Sequence, residues 1–258
     1  MIITSWNVNS VRARIENIKE YLQKFSPDIV MMQEIKTQDE TFPYDDFSAL
    51  DYESHVFGQK SYNGVAIISK HKLENIRLDL IKDKLKQSRI ISAETKHKKK
   101  NIQIINIYTP NGNPVDTEKY TYKKEWLDSL IKQLKTLSKK NENIILAGDF
   151  NILPSAEDAY NIKGFEDDAL YRLEIRKKFR EMINLGFHDA YRHIHGEKEG
   201  YTYWDYMRGA WQKNNGLRID HFLISNSLLN IVKDVKINKD PRGKEKPSDH
   251  TPIEIELA

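Results

Sequence analysis

Residues 144–151, Ile144-Ile-Leu-Ala-Gly-Asp-Phe-Asn151, carry four apolar residues into a glycine and then set a carboxylate and an amide two positions apart. The run reads as a buried β-strand, and a core strand gains nothing from an ionisable group. The same punctuation recurs along the chain. Met1-Ile-Ile-Thr-Ser-Trp6 stops on Asn7, Asp28-Ile-Val-Met-Met-Gln33 stops on Glu34, and His221-Phe-Leu-Ile224 is entered from Asp220. These polar ends are expected to meet at one rim of a packed sheet, where open α/β sheets place their sites. Pro247-Ser-Asp-His250 joins them, and the pooled hard oxygen ligands with one imidazole suit Mg²⁺, with Mn²⁺ as a substitute, and phosphate chemistry.

Outward from these strands, Ile15, Ile18, Leu22 and Phe25 repeat at helical steps before Ser26-Pro27, which predicts a β-α-β opening. Strands are expected at 65–69, 89–94 and 102–108, the last two joined by a lysine-rich tip. Trp126, Leu127, Leu130, Ile131, Leu134 and Leu137 predict a second helix; Leu173, Phe179, Met182 and Ile183 predict a third. No Pro- or Ser/Gly-rich linker interrupts the chain, so residues 1–258 are expected to form one domain. Helix crossovers and hairpins must both be housed, which favours two mixed sheets packed face to face with helices outside. Strand-aromatic-Asn occurs twice, at Trp6-Asn7 and Phe150-Asn151, as two related halves would give.

With 39% hydrophobic and 31% charged residues, composition is that of a globular protein. No apolar run approaches the ~20 residues of a spanning helix, and Met1 leads directly into a strand pattern without an export signal, so a cytoplasmic location without membrane contact is expected. Cysteine is absent, which excludes disulfides, thiolate catalysis and sulfur-based zinc sites. Net charge is only +3, so a polyanion would have to meet a local basic face. The lysine clusters at 96–100 and 239–246 read first as solvated tips. His193 and His195 lack a third soft ligand and read as a surface segment.

Individually, the polar residues have bland readings. Glu34 is a strand-end carboxylate and Asp149-Phe-Asn151 a common turn element. On an extended backbone, however, Asp149 and Asn151 point to one side, where an acid and an amide can share a metal or a water. Asp249-His250 sits between Pro247 and Pro252, and Asp220 is a candidate partner for the imidazole. The hydroxyl of Tyr108 leaves a strand where it can reach a phosphate oxygen. Tyr201-Thr-Tyr-Trp-Asp-Tyr-Met207, near Arg208, Trp211 and Arg218, combines core positions with a platform for a base or sugar lifted from a helix.

In order, Trp6-Asn-Val-Asn9 with Arg12-Ala13, Gln33-Glu-Ile-Lys36, Tyr108-Thr-Pro-Asn-Gly112, Gly148-Asp-Phe-Asn151, Gly216-Leu-Arg-Ile-Asp220 and Pro247-Ser-Asp-His250 resemble the exonuclease III class of AP endonucleases. The resemblance spans the chain; Gly-Asp-x-Asn and Ser-Asp-His belong to a wider superfamily of Mg²⁺ phosphodiesterases, whereas Gly-Leu-Arg-Ile-Asp and Tyr-x-Pro-Asn-Gly are narrower. It implies a four-layer α/β sandwich of the DNase I type. It implies that Glu34 ligates Mg²⁺ with help from Asn7 and Asp249, and that Asp149 activates water or serves a second metal position. Asn151 and His250 are counted with the metal site as well as with the chemistry. Asn151 would orient the nucleophile, Asp220 would orient His250, and His250 and Tyr108 would contact the scissile phosphate. Arg12, Lys36, Tyr62, Asn63 and Gly64 resemble backbone-contacting positions. Tyr203, Leu217 and Ile219 would line a pocket for a base-free sugar, with Met207 as a wedge. Residues 155–180 follow the family loosely, and no contact is assigned there.

The implied activity is Mg²⁺-dependent incision of duplex DNA 5′ to abasic sites leaving a 3′-hydroxyl, with 3′-to-5′ exonuclease and 3′-end-cleaning activity, by a monomer. Two alternatives stand beside it: the same fold acting on RNA or small phosphorylated substrates, and a nucleic-acid-binding regulator without catalysis.

Overall fold

The computed structural model describes residues 1–258. The strands are β1 (Ile2–Asn7), β2 (Ile29–Gln33), β3 (Glu53–Phe57), β4 (Val65–Ser69), β5 (Glu74–Arg77), β6 (Ile90–His97), β7 (Lys100–Tyr108), β8 (Ile144–Asp149), β9 (Phe187–Asp189), β10 (Asp220–Ser225), β11 (Val232–Ile237) and β12 (Ile253–Leu257). They form two six-stranded sheets, ordered β11-β12-β1-β2-β4-β3 and β5-β6-β7-β8-β10-β9. Each sheet has one parallel pair at its centre, β1 with β2 and β7 with β8, and every other pair is antiparallel.

Strand periodicity dictates the layers, because successive side chains leave a strand on opposite faces. On β2, Ile29 and Met31 enter the core between the sheets, while Val30 and Met32 join the outer cluster around Ile18, Leu22 and Phe47. That outer layer is α1 (Ile15–Phe25) and α2 (Tyr44–Ser48). On the second sheet, Ile145 and Ala147 face inward; Ile144 and Leu146 face α3 (Glu118–Leu137) and α4 (Leu173–Asn184) through Leu127, Leu130, Leu134 and Met182. The order is therefore helix, sheet, sheet, helix, the four-layer sandwich expected. A last short helix, α5 (Ala190–His195), carries His193 at the surface as expected, whereas His195 is half-buried, its Nε2 on the Val235 carbonyl and its ring against Tyr191.

Both parallel pairs are β-α-β crossovers, β1-α1-β2 and β7-α3-β8, so the expected halves have a structural counterpart. The two dipeptides are not its equivalent points: Trp6-Asn7 ends the first strand of one unit, whereas Phe150-Asn151 follows the second strand of the other. Inward parity carried to the strand ends places Asn7, Tyr108, Asp149 and Asp220 at the rim between the sheets. Beneath them, Gln33 Nε2 donates to Asn106 Oδ1 at 2.7 Å, and Asn106 Nδ2 returns bonds to the carbonyls of Met32 and Ala66, both 2.9 Å. Inside a low-dielectric core such paired amides fix register, since each unmade bond costs about 1–3 kcal/mol.

Candidate active site

Gly148 lets β8 approach β7 closely: a Cβ there would lie 1.9 Å from the Ile107 carbonyl oxygen, and its φ is +144°. The strand ends on Asp149, which pairs in register with Asp220 of the neighbouring β10. Two acids side by side at a buried strand end repel, so something cationic belongs between them. His250 occupies that position. Its Nδ1 lies 2.8 Å from Asp220 Oδ2 and its Nε2 lies 3.8 Å from Asp149 Oδ2. Thr202 Oγ1 also donates to Asp220 Oδ2, at 2.6 Å, and Tyr203 packs edge-on against the imidazole, centroids 4.9 Å apart.

Asn7 links this cluster to the first sheet. Its Nδ2 donates to Glu34 Oε1 at 2.9 Å and to Asp149 Oδ2 at 3.0 Å, while its Oδ1 accepts from the backbone N–H of Asn9. Lys36 Nζ reaches Glu34 Oε2 at 2.9 Å and Asn9 Oδ1 at 2.6 Å; Asn9 Nδ2 in turn donates to Asp249 Oδ1 at 3.0 Å. Glu34 has φ +49°. That turn frees Ile35 N–H to bond Gly64 and Lys36 N–H to bond Asn63.

The titration behaviour follows from burial and these neighbours. Burial raises the Asp149 carboxyl to about 7, with His250 lowering it and Asp220 and Glu34 raising it. Burial would lower His250, but the Asp220 and Asp149 carboxylates outweigh it and lift the imidazole to about 10. Burial would raise Glu34 too; the Lys36 ammonium and hydrogen bonds from Asn7, Lys36 and Tyr108 bring it below the ordinary value. Tyr108 is pushed well above the phenol range, first by burial and then by Glu34 and Asp149.

Asp149, Asp220 and His250 bring ligand atoms within 4.8 Å of one another. The donor set fits a divalent cation on chemical grounds. Glu34 and Asp149 are bridged only by one neutral amide, Asp220 Oδ1 is buried without a partner, and Asp149 is costly to ionise without added positive charge.

Above the acids opens a cleft of about 810 Å³. It gathers Glu34, Tyr108, Asp149, Asn151, Asp249 and His250 with Tyr203, Met207, Leu217 and Ile219 from the sequence-derived set. Leu217 and Ile219 are buried with Leu153, Ala159 and Leu170 in a small apolar cluster flanked by Tyr203 and Phe165, so one wall is apolar and the floor ionic. Met207, 68% exposed, stands at the rim.

The remaining positions do not line the cleft. Arg12 and Tyr62 are exposed, Lys36 is engaged by Glu34 and Asn9, and Gly64 is buried in a turn. Asn63 is buried, its Nδ2 donating to Gln59. Asp149 and Asn151 both face the cleft, though not by extended alternation. The strand has ended, Phe150 N–H bonds the Ile219 carbonyl, and Asn151 adopts φ +49° with its N–H on Asp149 Oδ1 at 2.9 Å.

Several cleft residues carried no sequence signal. Tyr160, Phe165, Asp168 and Leu170 come from the stretch left unassigned, which folds as 3-10 turns without apolar periodicity. Asn111 and Asn113 enter from the turn after β7. Thr202 was hidden among aromatic residues.

The model of the Endonuclease/Exonuclease/phosphatase family matches residues 4–250. The chain is 33% identical over 270 residues to exodeoxyribonuclease III of Haemophilus influenzae, with 100% of each chain covered. Among solved structures, an AP endonuclease from Archaeoglobus fulgidus superposes with a TM-score of 0.94 at 32% identity, covering 100% of this chain and 99% of the other. A variant of the 3′ phosphatase NExo from Neisseria, bound to a product DNA hairpin, gives the same TM-score, identity and coverage.

Proposed function

This chain belongs to the exonuclease III and AP endonuclease branch of the Endonuclease/Exonuclease/phosphatase family, a hydrolytic phosphodiesterase and DNA-repair nuclease, and from that premise we propose that it incises duplex DNA 5′ to abasic sites. Incision leaves a 3′-hydroxyl, and the same site trims 3′ ends as an exonuclease and removes 3′ blocking groups. The working unit is a monomer of one catalytic domain, residues 1–258. The observation that carries the reading is the ionic floor of Asp149, Asp220 and His250 set against the apolar wall of Leu217, Ile219 and Leu170.

Glu34, Asp149 and Asp249, with Asn7 and Asn151 near them, would hold Mg²⁺; His250, protonated, has no lone pair to give it and stands beside the ion. A bound divalent cation supplies charge neutralisation at a phosphate oxygen and makes water a better acid. Everything else falls to the chain. Asp149, on the cleft floor with Asn151 N–H on its Oδ1, is placed to accept a proton from an attacking water. His250, held protonated by Asp220, presents Nε2 to the cleft as a charged donor for a nonbridging phosphate oxygen. The Tyr108 phenol stays protonated and donates beside it. Asn151 orients the water. The apolar wall accepts a sugar stripped of its base, and Met207 stands where a wedge would enter the stack. Arg12, Tyr62 and the 63–64 turn meet the flanking backbone, with Lys36 released from Glu34 when DNA arrives.

The test is a labelled duplex with one abasic-site analogue and its undamaged twin, in Mg²⁺ and in EDTA, beside Asp149→Ala. Metal-dependent cleavage at the lesion, absent in the variant, is expected; full cleavage in EDTA would overturn the reading. The likeness to a protein named as a 3′ phosphatase and bound to a DNA hairpin favours a second reading, in which removal of 3′ phosphates is the main activity. A duplex carrying a 3′ phosphate, assayed alongside, separates the two by rate.

A further inference from the structure

Lys123 is a fully buried lysine on α3, beneath the cleft and outside the chemistry described above. Its ammonium has no carboxylate within 4 Å; all three protons go to backbone carbonyls, of Asn151 at 2.6 Å and of Asn111 and Ala169 at 3.0 Å. Burial lowers its pKa to about 7, but three carbonyl acceptors call for the three protons of the ammonium; burying it costs several kcal/mol, and apolar residues of similar volume commonly serve stability as well or better. A role beyond packing is therefore implied.

The three carbonyls belong to three segments far apart in sequence. One follows β7 and brings Asn111 and Asn113 to the cleft; one follows β8 and brings Asn151; the third brings Asp168 and Leu170. Two of them are already tied without the lysine, since Asn113 bonds Asp168 Oδ1 at 3.0 Å and the Ala169 N–H at 3.1 Å. Asn151 has a long bond from Asn111 Nδ2 to its side chain, 3.3 Å, one from its own Nδ2 to the Thr109 carbonyl, 3.0 Å, and its backbone N–H on the nearby Asp149 Oδ1, 2.9 Å. The Asn151 carbonyl, on a backbone bent to φ +49°, is held by Lys123 alone. The chain also clears a path for the lysine stem. A Cβ on Gly112, at φ +86°, would lie 2.6 Å from Lys123 Cδ.

We infer that Lys123 is a positioning residue of the active site, a buried cation that holds Asn151 and two walls of the cleft in one geometry through their carbonyls. The inference rests on the reading of Asn151 as the residue that orients the attacking water. Misplacement by an ångström costs about 10²-fold in rate, while the proposed DNA-backbone contacts lie elsewhere. Loss of the ammonium should therefore appear in kcat and leave KM alone.

The experiment compares Lys123→Met, Lys123→Arg and a packing control, Leu127→Ala from the same helix, on the abasic duplex in Mg²⁺, with thermal midpoints measured for each. Lys123→Met is expected to lose about 10–100-fold in kcat with KM unchanged, Lys123→Arg to fall between it and wild type, and Leu127→Ala to lose comparable stability while keeping kcat. Wild-type kcat in Lys123→Met, a loss confined to KM, or an equal kcat loss in Leu127→Ala would each overturn the inference. Should Lys123→Met fail to fold, Lys123→Arg decides, since a planar guanidinium keeps the charge and cannot reproduce three converging bonds; full kcat there would also overturn it. Wild type is assayed first. No cleavage by wild type defeats the nuclease reading, whereas cleavage by wild type and by Lys123→Met alike defeats this inference alone.

Discussion

Nδ1 of His250 lies 2.8 Å from Oδ2 of Asp220, and that bond leaves Nε2 as the ring nitrogen that faces Asp149 and the cleft. The acid fixes both the orientation and the charge of the imidazole. Asp220→Asn removes the charge and keeps the shape. We expect kcat on an abasic duplex to fall about 10²–10⁴-fold. The alkaline limb of the pH–rate profile should also move to lower pH, because the imidazolium loses the carboxylate that most raises its pKa. An unmoved limb would mean that His250 is not the donor.

Asp149, raised to about 7 chiefly by its burial, must lose its proton to ligate a cation. Mg²⁺ or Mn²⁺ should accordingly bind more tightly as pH rises through 7 and level off above it. Calorimetric titration without DNA at pH 6 and pH 8 measures this directly. Equal affinities at both would contradict it.

Both Asp149 and His250 have folded-state pKa values above their ordinary ones. The folded state therefore binds their protons more tightly than the unfolded state. The stabilisation is complete below the unfolded pKa and disappears as pH rises through the folded one. For His250 that window runs from 6.5 to about 10. In EDTA, the thermal midpoint should decline across it, and His250→Gln should flatten the decline. A wild-type midpoint that rises from pH 7 to 10 would reverse the sign and sink the argument.

Arg218, also fully buried, donates to Asp158 at 2.6 Å and to Asp189 at 2.8 Å, directly behind the wall formed by Leu217 and Ile219. Arg218→Leu leaves both carboxylates short of a partner in the interior, with Arg192 still on Asp158. We expect a loss of about 3–5 kcal/mol in urea unfolding. A loss below 1 kcal/mol would show that the acids find other partners.

The polar ends of apolar strands were legible because they break a pattern. A carboxylate closing Ile-Leu-Ala-Gly is conspicuous in sequence, and parity then carries Asn7, Tyr108, Asp149 and Asp220 to one rim. The helices at 15–25 and 173–184 could be read from their apolar steps, while α3 begins at Glu118, before its apolar stripe starts. What could not be read was pairing across long separations. Gln33 and Asn106 are 73 positions apart, and neither looks unlike a surface amide. Lys36, assigned to DNA by its neighbours in sequence, is held by Glu34 and Asn9, a choice made by the turn at Glu34. The lysines at 96–100 do form a hairpin tip, but at the far end of β6 and β7. Tyr108 is eight residues beyond Lys100, roughly 27 Å at 3.3–3.4 Å per residue, so that tip cannot touch the phosphate being cut.

Because each sheet contributes the ends of its own parallel pair, the site is a seam and belongs to neither sheet. Glu34 and Asn7 ride on one slab, Tyr108, Asp149 and Asp220 on the other, and the Gln33–Asn106 pair is the rivet just below. Catalytic rate in this molecule is thus a gauge of how the slabs are aligned. A change deep in the sandwich, far from any substrate, can silence the enzyme by sliding one slab past the other, even where every group that meets the substrate is kept.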